Sequence, residues 1–322
     1  MFKKSTYCIY KSTYFHTSRL ITHILASYCH LLAEDDPLRT DPAFNKTELR
    51  GPCKPRTHAQ VAKQGAEAEN WEGFKKDHPK RLVGVKRLSP LLLVPLFDIV
   101  WDITPDMMHI IEGFQKTHLL SLLKCNRRPK APPTTGKGTK EGDAKYRKRK
   151  KDHQGVCAKV AIWELNKAQC KILDKRSLDM GGAFGWIRSN MAITQRTGSL
   201  NAHDWVKLIE SSYERYVLHD MLDVGQLKAL YALYDVMRAC MRATGEGQDE
   251  ATAKEQISQL KVAVIRALCL WVLEAPRTEL STVLHILGHV PDAIYRWGSP
   301  RNYWAFFGER YISPPSLPMC FK

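Results

Sequence analysis

A mainly α fold, with a helical domain preceded by a small, incomplete α/β element, is what this 322-residue sequence predicts. Three observations carry that reading. Apolar residues recur at helical spacing over His203–Met221 and again over Leu227–Met241. Ile257–Leu273 is apolar nearly all round, as expected of a helix at the centre of a bundle. Ahead of these, Leu82–Trp101 is apolar but contains Pro90 and Pro95, which exclude one continuous helix and favour short, extended, buried segments.

Taken in order, residues 1–80 form a poorly ordered N-terminal region, rich in Tyr, Ser, Thr and His and then in proline. Helices are expected there only at Ile21–Leu32 and over Arg56–Glu69, where good helix formers gather. Residues 81–124 make the mixed element. Within it Thr104-Pro105-Asp106 reads as a helix start, with a capping hydroxyl, a proline at the first helical position and an acid in the first turn. Apolar residues at 107, 110, 111, 114, 119, 120, 122 and 123 predict a largely buried helix, weakened near Gly113. Residues 125–155, with their prolines, glycines and lysines, bury too little apolar surface to order and read as a disordered basic linker. Residues 156–322 are the helical domain. Its expected helices begin with Val160–Leu173, followed by a glycine break at Gly181, and end with Thr278–Val290, closed by Pro291.

Net charge is +16, a balance that points to a polyanionic partner. From Lys124 to Lys151, 12 Lys or Arg stand against Glu141 and Asp143, so this segment carries +10 of that excess. Lys145, Arg147, Lys148, Arg149, Lys150 and Lys151 form its densest part, suited to phosphate backbones or to nuclear import. The same run in isolation is also a solvated charge cluster. Nine scattered cysteines without a Cys-x-x-Cys spacing support neither a disulfide framework nor a zinc ribbon, and predict an intracellular, reducing setting. No signal peptide and no membrane partner are expected, because the longest apolar stretch, Leu91–Trp101, is broken by Pro95 and Asp98.

Several strings occur together in one order: Gly84–Leu91, Pro95–Asp98, Pro105–Ile110, Leu200–Trp205, His285–His289, Arg296–Pro300 and Phe306–Tyr311. In that order they resemble the end of the transposase core of CACTA (En/Spm) elements and the helical domain that follows it. The resemblance covers roughly residues 82–311. It implies that the mixed element is the remnant of an RNase H-like core, and that Asp106 and His109 lie beside its metal site. It also makes Glu309 a late acidic position and a further metal carboxylate, with Mg²⁺ or Mn²⁺ as the cofactor for DNA strand cleavage and transfer. The family's two earlier catalytic aspartates have no counterpart in residues 1–80. The expectation is therefore a truncated or host-retained transposase derivative without strand transfer, nuclear, binding DNA non-specifically and with salt dependence. Two alternatives stay open: a helical protein-interaction module with a basic tether, and a nuclease completed by a partner chain. Homo-oligomerisation is left open too.

Each motif also has a plainer reading. Asp106 in Thr-Pro-Asp is a favourable helix-start acid whatever the chemistry. His285 and His289, four apart, could share a metal, but Ile286-Leu287-Gly288 lacks the glutamate of zinc proteases, and two histidines in a packing face suffice. His203 and Asp204 read as caps. Trp297 and Trp304, near Arg296, Arg301 and Arg310, could stack on bases or pack the end of the bundle.

Overall fold

The computed structural model describes residues 32–42, 57–70, 88–123, 140–184, 192–194, 200, 202–243, 249–276, 279 and 282–305. The chain divides into two compact units, residues 1–104 with 280–282, and residues 105–279 with 283–322. No strand forms among the described residues, so the fold is mainly helical.

In the first unit, a short helix α1 (Pro37–Thr40) starts where Asp36 accepts the Leu38 amide at 3.0 Å. Helix α2 (His58–Glu69) forms in the stretch whose composition predicts it. A reciprocal box starts it: Thr57 Oγ1 accepts the Gln60 amide at 3.2 Å, and Gln60 Oε1 accepts the Thr57 amide at 2.9 Å. The helix expected at Ile21–Leu32 lies outside the described residues, Leu32 excepted.

Residues 88–103 correct an expectation. Instead of buried extended segments they form a 3₁₀ turn, Pro90–Leu93, followed by further turns. Leu93 is 84% exposed and Leu96 fully so, the latter with a left-handed φ of 63°. Proline at 90 and 95 removes two backbone donors and presets turn geometry, which favours local hydrogen bonds over strand pairing. Asp98 Oδ1 takes the Val100 amide at 2.8 Å and Asp102 Oδ2 the Asp98 amide at 2.6 Å, so both acids are spent on turns.

The second unit begins with α3 (Met107–Glu112), which widens into a π-helical segment, Gly113–Leu119, and resumes as α4 (Leu120–Leu123). All eight positions expected to be buried are buried. The expected weakness at Gly113 takes the form of the π widening. A Cβ there would stand 3.0 Å from Val283 Cγ2, so the missing side chain also permits a close approach. Phe114 lies edge-on to Tyr234 and Trp271, with centroids 5.9 and 5.2 Å away. Gln115, fully buried, donates to the Trp205 carbonyl at 3.0 Å and accepts from Tyr234 Oη at 3.1 Å, which satisfies both ends of its amide.

Helix α5 (Lys140–Ala161) replaces the expected linker over residues 140–155, while residues 125–139 lie outside the described residues. Residues 140–161 hold no proline and only Gly142 and Gly155, while Ala, Lys, Arg, Gln and Glu propagate a helix well. The prolines that suggested a linker, Pro129, Pro132 and Pro133, all precede residue 140. Helix α5 ends before Trp163, and α6 (Lys167–Phe184) starts separately, with Asn166 and Gln169 exchanging side-chain-to-amide bonds at 2.9 Å. One predicted helix is thus two, and α6 runs on through Gly181.

Another predicted helix also divides, into α7 (Ala202–Glu210) and α8 (Tyr213–Val217), at Ser212, whose φ of 56° no continuing helix can adopt. His203 and Asp204 sit in the first turn of α7, and Asp204 is buried. Helices α9 (Val224–Arg242) and α10 (Glu250–Glu274) pack extensively and form the centre of the unit. Length and apolarity alone would let α10 cross a membrane. Its buried residues Val264, Ile265, Leu268 and Trp271 lie in the packing of this unit. Helices α11 (Thr282–Leu287) and α12 (Val290–Trp297) replace one predicted helix, and Pro291 begins α12 rather than ending its predecessor.

Candidate nucleic-acid interface

Arg147, Lys148, Arg149, Lys150 and Lys151 are consecutive and all exposed on α5. At about 100° per residue, five successive positions encircle a helix over roughly 6 Å along its axis. The result is a collar of cations around the helix rather than a single charged stripe. Lys145 belongs to the same helix by its backbone.

What holds the collar is the far end of α5. Lys159 Nζ donates to the Leu273 carbonyl at 2.5 Å, and Trp163 Nε1 to the Glu274 carbonyl at 3.3 Å. Both carbonyls belong to the last turn of α10, where helix geometry supplies no partner, so α5 caps α10. Gln226 Nε2 donates to the Ile162 carbonyl at 3.0 Å, and the Leu165 amide to the Leu123 carbonyl at 2.9 Å. Val160 and Trp163 are buried, with Trp163 5.2 Å from Trp271 between ring centroids. Exposure from Arg147 to Asp152 and burial at Val160 and Trp163 make α5 a cationic arm rooted in the helical core.

The predicted acidic site has a different geometry. Asp106, not Thr104, is the N-cap residue of α3, so the helix starts two positions later than expected, because the Asp106 carboxylate is the better acceptor for the first free amides. Its Oδ1 accepts the Met108 amide at 3.0 Å, and its Oδ2 lies 2.5 Å from His109 Nδ1. Both oxygens are therefore engaged within α3. Among the described residues no group of three His, Cys, Asp or Glu could hold a metal ion, and Glu309 lies outside those residues. The Mg²⁺ or Mn²⁺ pair that the resemblance implies needs carboxylates converging from several elements, and among the described residues none joins Asp106 and His109 in a metal-holding group.

Near the end of the second unit, Arg301 donates to the Met241 carbonyl at 3.2 Å and to Glu210 at 2.7 Å, holding the 3₁₀ turn Pro300–Asn302 on the bundle. Its guanidinium stands 5.5 Å from the Trp304 ring, and that of Arg296 5.8 Å from the Trp297 ring. Trp297 is exposed and Trp304 partly buried. Arg310 lies outside the described residues.

Sequence reasoning overlooked one arrangement. Arg238, buried in α9, donates to the Ile209 carbonyl at 3.0 Å, to Glu214 at 2.9 Å and to Asp235 at 2.6 Å. Burial holds the Glu214 carboxyl above the usual range, against the pull of Arg238. Tyr213 and Tyr234 bond to each other at 3.1 Å beside this pair, and burial raises the Tyr213 hydroxyl well above its ordinary value. The available signal was Arg238 standing four residues after Tyr234 on an otherwise apolar face. Comparison with protein-family models, with curated proteins and with solved structures finds no match to this chain.

Proposed function

We propose that this chain is a transposase-derived protein that binds duplex DNA through α5, without sequence preference and without strand-transfer activity. The collar Arg147–Lys151 on an anchored helix is the observation that supports the reading most directly. An α-helix fits the major groove, where a collar of cations meets phosphates of both strands. Such contacts position a protein but carry no base information. The order of family-like strings supports the ancestry, and the engagement of Asp106 in capping supports the loss of chemistry.

The test is a titration of the full chain with two unrelated duplexes at rising salt. Both should bind equally at low salt, with log K falling linearly against log [salt] at about 0.9 per phosphate contacted. Replacing Arg147, Lys148, Arg149, Lys150 and Lys151 by glutamine should flatten that slope. An unchanged slope would move the interface elsewhere, and no binding at low salt would sink the reading. Plasmid nicking with Mg²⁺ or Mn²⁺ that Asp106→Asn abolishes would overturn the inactive part and favour a nuclease completed by a partner chain.

A further inference from the structure

His285 stands in α11 and His289 directly before α12, with only Ile286, Leu287 and the turn residue Gly288 between them. The structure turns the two rings together: the Nε2 atoms are 3.3 Å apart, the centroids 4.7 Å apart, and the ring planes 86° apart. Perpendicular rings do not stack. Their closest polar approach is within hydrogen-bonding reach, one ring nitrogen donating to the other, and it joins the two nitrogens that can also bind a metal. Two imidazole nitrogens, each roughly 2.0–2.1 Å from one tetrahedral ion, are themselves about 3.3 Å apart. The observed separation is that tetrahedral edge.

We propose that His285 and His289 form a two-histidine site for a borderline transition-metal dication, Zn²⁺ above all, at the α11–α12 turn. Paired imidazoles select Zn²⁺, Cu²⁺ or Ni²⁺ over the oxygen-seeking Mg²⁺ and Ca²⁺, so this site differs in kind from the carboxylate site implied by the family resemblance. Water completes the coordination, because no third side chain joins the pair among the described residues. The nearest acid along α12, Asp292, is held by Lys261 Nζ at 2.7 and 3.0 Å. A bound ion would tie the end of α11 to the start of α12 across Gly288.

The experiment titrates the full, reduced chain with Zn²⁺ against a chromophoric chelator, beside His285→Gln, His289→Gln and Cys157→Ser. One zinc equivalent should bind the wild type, and each histidine variant should bind it at least about tenfold more weakly, by analogy with the loss on disturbing a metal site. Cys157→Ser should change nothing; this control matters because Cys157 lies 3.7–3.8 Å from the His153 ring nitrogens. Helical circular dichroism shows whether each variant folds, and exposed His289 allows a decision even if the half-buried His285 does not tolerate change. Cu²⁺ bound to the wild type should show two nitrogen couplings by electron paramagnetic resonance, reduced to one in His289→Gln. Wild-type zinc affinity in both histidine variants, loss of binding in Cys157→Ser, or no binding by the wild type would each overturn the site.

Discussion

At Asp106 the two carboxylate oxygens have separate partners, the Met108 amide and the His109 ring. Asp106→Ala should cost about 1 kcal/mol in urea unfolding, since it leaves an amide at the helix start without its acceptor. Asp106→Asn keeps an acceptor and should cost much less; equal losses would mean that the histidine contact, not the cap, is what matters. Glu214 and Arg238 are a tighter case. Glu214 is fully buried, and its Oε2 has no hydrogen-bond partner among the described residues. Arg238→Met would leave the buried carboxylate with only the longer contact to half-exposed Arg215, 3.8 Å from its Oε1, and should destabilise by roughly 3–5 kcal/mol. Because burial already raises the Glu214 pKa, the folded state holds this proton more tightly than the unfolded state. Stability is therefore gained as pH falls through the folded value towards the unfolded one. The Arg238→Met deficit should shrink on acidification, and a deficit that is flat with pH would contradict this assignment.

Among the elements, α6 is tied to the turn after α8 by Arg176, which donates to both Asp220 oxygens, at 2.5 and 2.8 Å, and to the Val217 carbonyl at 3.3 Å. The pairing holds the Asp220 carboxyl down at about 2. Its contribution is present above the unfolded carboxylate pKa and is lost as pH falls through the depressed value. In Arg176→Met the Asp220 carbon resonance should titrate near the ordinary value of about 3.9 instead; an unmoved midpoint would assign the depression to another cause. Asp220 is exposed, so the effect of the pair on stability is small. After α12, Gly298 adopts φ 76° and ψ −155°, backbone that side chains rarely tolerate, and an added Cβ would meet only Asn302 Nδ2, at 4.0 Å. Gly298→Ala should thus cost about 1–3 kcal/mol from backbone strain alone, measured by urea unfolding. The boundaries of α5, α7 and α11 were not legible beforehand. Apolar spacing continues across Ile162–Asn166, Ser211–Ser212 and Gly288–His289, while side-chain capping and one left-handed residue interrupt the helices there.

For the whole molecule, the uneven charge is the property with the widest reach. The collar on α5 should make association with duplex DNA strongly dependent on ionic strength, whereas the zinc site at His285 and His289 should respond little to salt, because a coordinate bond is short and local. Measuring both on one preparation separates the two surfaces, and a parallel loss with salt would argue that zinc is merely an adjunct of the charged arm. The sequence by itself determined the helical class, the burial of the apolar positions between Met107 and Leu123, the helix α2 and the concentration of positive charge, because composition and periodicity are local properties of the chain. Only the tertiary structure decided that residues 140–161 are a helix rooted on α10, that Asp106 caps α3 with one oxygen and meets His109 with the other, that Arg238 is buried against Glu214, and that the two histidine Nε2 atoms come within 3.3 Å. Each of those depends on which residues distant in sequence, or across a turn, are brought within hydrogen-bonding reach, and a pattern along the chain does not contain that distance.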